Sequence, residues 1–370
     1  ASGCAAELPP AMATFAGASF TSFAFVFPSA WDSTSPSLPV ARRLVELGHA
    51  VHYLCRDSLR EAVEATGAAF HSDVEAETEL YQGRPQAGVA GAMEVLKTEH
   101  GLQQDSAVVS LAKLGNVQTE LMLPGVLRFL RRVGARAVVY CPIMNPEAFI
   151  AASALGIPSV ALLTTPGPGS LATRWGELIA RERLDPYSLL AAAMGYEPNM
   201  SAILRLEALY GMHVELSWLD TLGYSQHMAR SAITLVTTIE DLQDPTTPEL
   251  QRRYQQSGAS FAFVGPLSDK AGAAGASAHM RCAGSVDAHP AAARSLTSAE
   301  DVLARVASAR TAGRRVVLVC LGAAATGDDA VVGWRGRRSG PDGRPRGLTG
   351  RQLCHAAWAG AIDAFGADAP

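Results

Sequence analysis

The sequence predicts an α/β protein: a doubly wound parallel sheet in an N-terminal domain, followed by the start of a second, Rossmann-like domain. Three observations predict it. Short apolar runs alternate with amphipathic helical stretches. A unit of strand, polar loop, helix and strand opens at Phe20. Similar strand–loop–helix units recur at Ala135 and again at Arg315.

The first unit is the most informative. The apolar run Phe20–Phe27 stops at the polar segment Pro28–Ser35. A helix is expected from about Pro36, because proline is tolerated in a first turn where several N–H groups lack partners. Leu38, Ala41, Leu44 and Val45 form its apolar stripe, and Gly48 stops it. The run Val51–Cys55 is the second strand. In open α/β sheets ligands bind beyond the carboxyl ends of the strands, so the loop Pro28–Ser35 is expected to line a cleft.

Ser58-Leu59-Arg60-Glu61 has the pattern of a capping box opening a second helix, which ends at Gly67 before the short strand Ala68–Phe70. Residues Asp73 to Leu130 read as mostly helical with polar faces. Ala135–Tyr140 is a strand, Cys141–Met144 a loop, and Asn145-Pro146-Glu147 a helix start. Pro158–Thr165 is the next strand, closed by Pro166-Gly167-Pro168-Gly169-Ser170. Residues Leu171 to Met228 are helical, and strands follow at Ala232–Ile239 and near Phe261–Pro266.

Composition changes after Pro266. Lys270 to Ala293 is rich in Ala, Gly and Ser, as linkers are. Thr297-Ser298-Ala299-Glu300 is another capping pattern, Arg315–Leu321 a buried strand, and Thr349-Gly350-Arg351-Gln352 the start of a last helix. The expected organisation is a loose tail over 1–18, a ligand-binding domain over 19–266, a linker over 267–297 and a partial second domain over 298–370. One strand with one or two helices cannot bury a core alone, so the second domain reads as truncated or as packed on the first.

The 370 residues suit about two domains. A 48% apolar and 18% charged composition belongs to a globular chain. A net charge of −4 supplies no electrostatic case for nucleic acid or an anionic membrane. The six cysteines show no metal-binding spacing and read as reduced thiols, which places the chain in the cytoplasm. Met12–Trp31 has the length of a membrane span, but Ser, Thr and Gly interrupt it, and a strand plus a loop explains it better.

Several of these segments resemble the macrolide-type and related family 1 glycosyltransferases, which have the GT-B fold. They are Pro36–Arg42 with Gly48-His49, Glu64–Gly67, Phe263-Val264-Gly265-Pro266 and Val316–Gly322, in that order, within a span of about Ser19 to Gly366. The resemblance implies transfer of a hexosyl group from a nucleotide sugar, a UDP-sugar in this reading, to a hydroxyl of a lipophilic small molecule. It implies no metal and no resident cofactor, because helix N-termini and loop amides can hold the diphosphate of the donor.

The chain departs from the family pattern in three places. The family's catalytic base is a histidine, and its position holds Ser33; Asp32, one residue earlier, is the candidate base with Ser33 beside it. The acid that orients the histidine corresponds to Cys141, and Glu147 is a candidate replacement, although an acid in a first helical turn is also a partner for the helix dipole. The Gly- and His-rich donor segment does not appear; Gly322 and Ala323, after the strand, are the donor-side candidates, and the basic loop Arg335–Arg338 reads as solvated. The resemblance further nominates Trp31, Cys141, Asn145, Trp175 and Trp218 for contact with the acceptor. Tyr187, Tyr196, Tyr210 and Tyr224 belong to the same helical aromatic set, for which plain core packing is the competing reading. His213-Val214-Glu215 is too little for a metal site. With the usual base and acid both replaced, a non-catalytic ligand-binding protein is the alternative function.

Overall fold

The computed structural model describes residues 21–84, 88–214, 223–267, 299–314 and 345–365, together with Val316, Val319, Arg338 and Ser339. The chain divides into two compact units, Ala1–Gly272 and Ala273–Pro370.

The first unit is built on seven strands: β1 (Ser22–Val26), β2 (Ala50–Cys55), β3 (Ala69–Ser72), β4 (Ala137–Tyr140), β5 (Ser159–Leu163), β6 (Ile233–Val236) and β7 (Phe261–Phe263). They form one sheet in the order β3-β2-β1-β4-β5-β6-β7, and every neighbouring pair is parallel. The chain winds outward from β1 to β3, crosses back to β4 beside β1, and winds outward again. The order therefore reverses between β1 and β4, which is where such sheets open a crevice.

Alternation along the strands decides what each face buries. Phe25 and Phe27 of the β1 segment, Tyr53 and Cys55 of β2, and Val139 with Cys141 point to one face. There they pack with Leu38 and Ala41 of α2 (Leu38–Glu46, the helix that follows β1) and with Val63. Ala24, Val26, Leu54, Val138 and Tyr140 point to the other face, against a larger set of helices. Both faces are covered, so the strands read as continuous apolar runs rather than alternating ones. Full burial of one Phe or Leu side chain stabilises by about 1.5–3 kcal/mol.

The remaining helices of this unit, in chain order with α2, are α1 (Trp31–Thr34), α3 (Arg60–Glu64), α4 (Asp73–Ala76), α5 (Thr78–Tyr81), α6 (Gly88–Glu99), α7 (Ala107–Arg132), α8 (Pro146–Ala154), α9 (Ser170–Glu182), α10 (Pro186–Met194), α11 (Glu197–Tyr210), α12 (Gln226–Arg230) and α13 (Pro248–Gln256). Three local expectations are corrected. The segment Pro28–Ser35 is not all loop: α1 makes one helical turn within it, held by Thr34 Oγ1 donating to the Pro28 carbonyl at 2.8 Å. A short 3-10 turn then covers Ser35–Ser37, so α2 starts at Leu38 rather than at Pro36. The capping box expected at Ser58–Glu61 does not form either. A 3-10 turn takes Asp57–Leu59, and α3 begins at Arg60 without a side-chain cap. Asp57 instead accepts hydrogen bonds from Ser72 Oγ at 2.6 Å and Arg60 Nη2 at 2.8 Å.

In the second unit, α14 (Ala299–Thr311), a two-residue pairing of β8 (Arg338–Ser339) with β9 (Pro345–Arg346), and α15 (Gly350–Phe365) are described. The capping box at Thr349 forms reciprocally: Thr349 N donates to Gln352 Oε1 at 2.9 Å, and Gln352 N donates to Thr349 Oγ1 at 3.1 Å. The expected strand Arg315–Leu321, apart from Val316 and Val319, lies outside the described residues, as do the Thr297–Ser298 cap and the linker beyond Leu267. Among the described residues no helix is long and apolar enough to cross a membrane.

Candidate functional site

A small cleft, with a cavity volume of about 30 Å³, opens at the carboxyl ends of the central strands. Val26, Phe27, Pro28 and Ser29 supply its floor from the end of β1, and Leu54 and Arg56 come from the end of β2. Asp73, Glu77 and Tyr81 come from the segment after β3, Gln118 and Met122 from α7, and Met144 and Asn145 from the loop after β4. The cleft thus sits where the strand order reverses, as topology requires.

Its lining is mixed: Val26, Phe27 and Leu54 are apolar and buried, and a polar group set stands with them. Arg56 Nη2 stands 3.1 Å from Asp73 Oδ2 and donates to Tyr81 Oη at 2.5 Å. Burial nevertheless holds the Asp73 carboxyl above its ordinary value; the Arg56 charge opposes that shift without reversing it. Glu77 is only 2% exposed and its Oε2 has no hydrogen-bond partner. Burial, then the fields of Glu147 and Asp73, push its carboxyl well up, against Arg56.

Contacts from α7 set the position of Glu77. Arg128 grips Glu79 with both nitrogens, at 2.6 and 2.7 Å, and also donates to the Ala76 carbonyl at 2.9 Å. That grip holds the Glu79 carboxyl down to about 2. One turn earlier Gly125 lets the backbones meet: a Cβ there would stand 2.5 Å from the Ala76 oxygen and 2.8 Å from the Glu77 Cα. Any larger residue would displace the turn carrying Glu77.

Across the switch point, Asn145 occupies the position before α8 but does not cap it with its side chain. Its Nδ2 donates instead to Glu147 Oε1 at 2.8 Å, and its Oδ1 is left without a partner. Glu147 is 0% exposed and its Oε2 is likewise unpartnered. Burial raises its carboxyl to about 7, against the Asn145 hydrogen bond and its own backbone N–H at the helix start. It stands behind Asn145, outside the residues that line the cleft.

The nominated residues divide as follows. Asn145 lines the cleft. Cys141 is buried under it in the α2-side core, where burial pushes its thiol up to about 11. Trp31 is half-buried and packs on that same core. Asp32 is exposed on α1, and its Oδ1 accepts from the Ser33 N–H at 2.9 Å. Its field reaches Cys141, so α1 and the loop after β4 lie at one end of the sheet, yet neither Asp32 nor Ser33 is part of the cleft wall. Trp218, Gly322 and Ala323 lie outside the described residues, and so does the side chain of Trp175. Of the helical tyrosines, Tyr187 is exposed, Tyr196 bonds His100 at 2.9 Å, and Tyr224 packs on Tyr254. None of the described members of that aromatic set enters the cleft. His213 pairs with Glu207 at 2.8 Å, and among the described residues no His, Cys, Asp and Glu cluster suits a metal ion.

Sequence reasoning missed Arg56, Asp73, Glu77 and Tyr81. A signal existed for two of them: Arg56 directly follows β2 and Asp73 directly follows β3, the positions at which parallel strands present side chains to a crevice.

No protein-family model matches the chain, and no curated protein matches it. It is structurally similar to several solved glycosyltransferases. With the calicheamicin glycosyltransferase CalG4 it shares 18% identity over 67% of this chain and 53% of that one, at a TM-score of 0.46. With the glycotransferase of kitacinnamycin the identity is 18% over 67% and 52%, at 0.41. With SnogD from Streptomyces nogalater it is 19% over 62% and 51%, at 0.36. The chain spans about half the length of the solved structures it matches.

Proposed function

We propose that this chain carries the acceptor-binding domain of a nucleotide-sugar-dependent hexosyltransferase acting on a small-molecule hydroxyl. One observation carries the reading: the cleft lies at the β1–β4 switch point of a doubly wound parallel sheet, directly before the Pro36–Arg42 segment that resembles the start of family 1 enzymes. In the proposed reaction the acceptor oxygen bonds to the anomeric carbon of a UDP-sugar. The bond from that carbon to the diphosphate breaks, and UDP leaves. Asp32, exposed on α1, takes the hydroxyl proton. The protein is proposed to act in the cytoplasm.

Calorimetric titration with hydroxylated polycyclic aglycones tests the acceptor side. Micromolar binding that Asn145→Leu weakens at least tenfold is expected. Undetectable binding, or binding indifferent to that substitution, overturns the reading. Mass spectrometry for hexose addition from UDP-glucose and dTDP-glucose tests the chemistry. The exposure of Asp32 outside the cleft wall favours the second reading, a ligand-binding protein without transfer. That reading predicts aglycone binding with no hexose gain.

A further inference from the structure

Away from the cleft, two histidines and an arginine form a chain of hydrogen bonds at the edge of the sheet. His52 on β2 and His71 on the edge strand β3 stand on the face that Leu54 shares, which packs against α7. His52 Nδ1 lies 3.2 Å from His71 Nε2. His71 Nδ1 lies 3.3 Å from Arg132 Nη2, at the C-terminal end of α7. His71 also makes a T-shaped contact with the buried Phe129 ring, 5.2 Å between centroids. Both imidazoles are half-buried, and Arg132 is exposed.

The residue at the end of this chain fixes every proton in it. A guanidinium has only donors, so His71 Nδ1 must accept. Neutral His71 then carries its proton on Nε2 and donates it to His52 Nδ1, which leaves the proton of neutral His52 on Nε2. The chain closes only with both rings neutral. A second proton on His71 would face the Arg132 guanidinium, and one on His52 would face the His71 N–H. Either cancels a hydrogen bond and sets donor against donor.

Among the described residues no carboxylate is bonded to either ring, so none compensates such a proton. β2 brings His52 and α7 brings Arg132, and these are the charged or titratable groups whose fields reach His71. Arg128, also on α7, is turned to Glu79, and Asp73 of α4 is paired with Arg56. β1 sets the uncharged Ser22 and Ala24 beside β2. Burial, then Arg132 and His52, hold the His71 ring down to about 4, and burial lowers His52 as well.

We propose that His52, His71 and Arg132 form an acid-sensitive latch, which fastens the C-terminal end of α7 to the β2–β3 edge while both rings are neutral and releases it when either is protonated. The latch is independent of sugar transfer. Its sign follows from the lowered rings: its stabilisation is fully present above the ordinary histidine value of 6.5 and is lost as pH falls from there through about 4. The helix it holds also carries Arg128 against Glu79, and Gln118 and Met122 on the cleft wall.

The test is hydrogen–deuterium exchange of the full chain at pH 7.5 and pH 5, read at the backbone amides from Arg128 to Ala135 and corrected for the intrinsic exchange rate. This local readout avoids Glu147, whose raised carboxyl shifts whole-chain stability in the opposite direction. Protection of these amides is expected to fall about tenfold at pH 5, a figure already discounted for the half-exposure of the rings. Nitrogen–proton NMR of the imidazoles should show both as Nε2–H tautomers at pH 7.5. His71→Gln can still accept from Arg132 and donate to His52 but takes no proton, so it should cut the loss to about threefold or less. Equal protection at both pH values overturns the proposal, as does an Nδ1–H tautomer of His71 or a tenfold loss that persists in His71→Gln. Should that variant not fold, the tautomers and the exchange of the unaltered chain decide.

Discussion

Three segments at the same sheet end carry carboxylates, and the one after β1 differs from those after β3 and β4 in almost every physical respect. Asp32 stands on the single-turn α1 after β1, exposed and bonded only to the next backbone N–H among the contacts that the structure gives it. Glu77 and Glu147 stand after β3 and β4, buried, each with one oxygen unpartnered. The motif pattern points to the segment after β1, and the tertiary structure buries the carboxylates of the other two. An exposed carboxylate keeps its mobility and its water, so it suits proton exchange. A buried carboxylate is costly unless something completes it, so it suits recognition.

The sharpest way to break this comparison is to remove the cation of the buried set. Arg56→Met leaves Asp73 and Glu77 without their compensating charge, and a loss of about 3–5 kcal/mol in stability is expected. Urea denaturation measures it, and a loss below 1 kcal/mol would mean that the wall is far wetter than its burial indicates.

Glu147→Gln should act in the opposite direction. Its folded-state carboxyl titrates at about 7, above the ordinary 4.5, so what it contributes is fully present below pH 4.5 and is lost as pH rises through 7. Replacing it is expected to stabilise by about 2–3 kcal/mol at pH 8 and hardly at all near pH 4.5. Melting curves at both pH values check the sign, and an equal shift at both would show that packing, not charge, is responsible.

Gly125→Ala probes how α7 carries the Glu77 turn. The added methyl meets the Ala76 and Glu77 backbone, which cannot rotate away as a side chain would. A cost of about 1–3 kcal/mol is expected from the overpacking, measured by urea denaturation. Unchanged stability would show that the turn carrying Glu77 shifts freely away from α7.

Asp32→Asn should have the smallest effect on stability, within about 0.5 kcal/mol, because the side chain is exposed. If Asp32 is the base of the proposed transfer, hexose transfer falls by about 10²-fold or more with aglycone affinity unchanged. Unchanged transfer removes Asp32 from the chemistry.

Much of the fold was legible in the residues alone. Apolar runs bounded by turns located the central strands, since burial on both faces demands continuous hydrophobicity. The helix stripe Leu38–Ala41–Leu44–Val45 and the stop at Gly48, whose φ is +86°, followed from side-chain period and from the left-handed turn that glycine permits. The Thr349 capping box was legible because its partners are three residues apart. The Ser58 box was not, because Asp57 found Ser72 in the neighbouring strand segment, a partner no local pattern contains.

The site divides in the same way. Asn145 and Glu147 could be picked out from the helix start they share, and the cleft could be placed at the ends of the strands. What the sequence could not distinguish was Glu77 from Glu75 and Glu79 in one acidic run. Glu75 is exposed, Glu79 is held by Arg128 from a helix 49 residues away, and only Glu77 is buried against the cleft. Spacing along the chain determines which elements form and where the sheet reverses. Burial, and with it the protonation of each carboxylate, depends on contacts between segments far apart in sequence, and only the tertiary structure decides those.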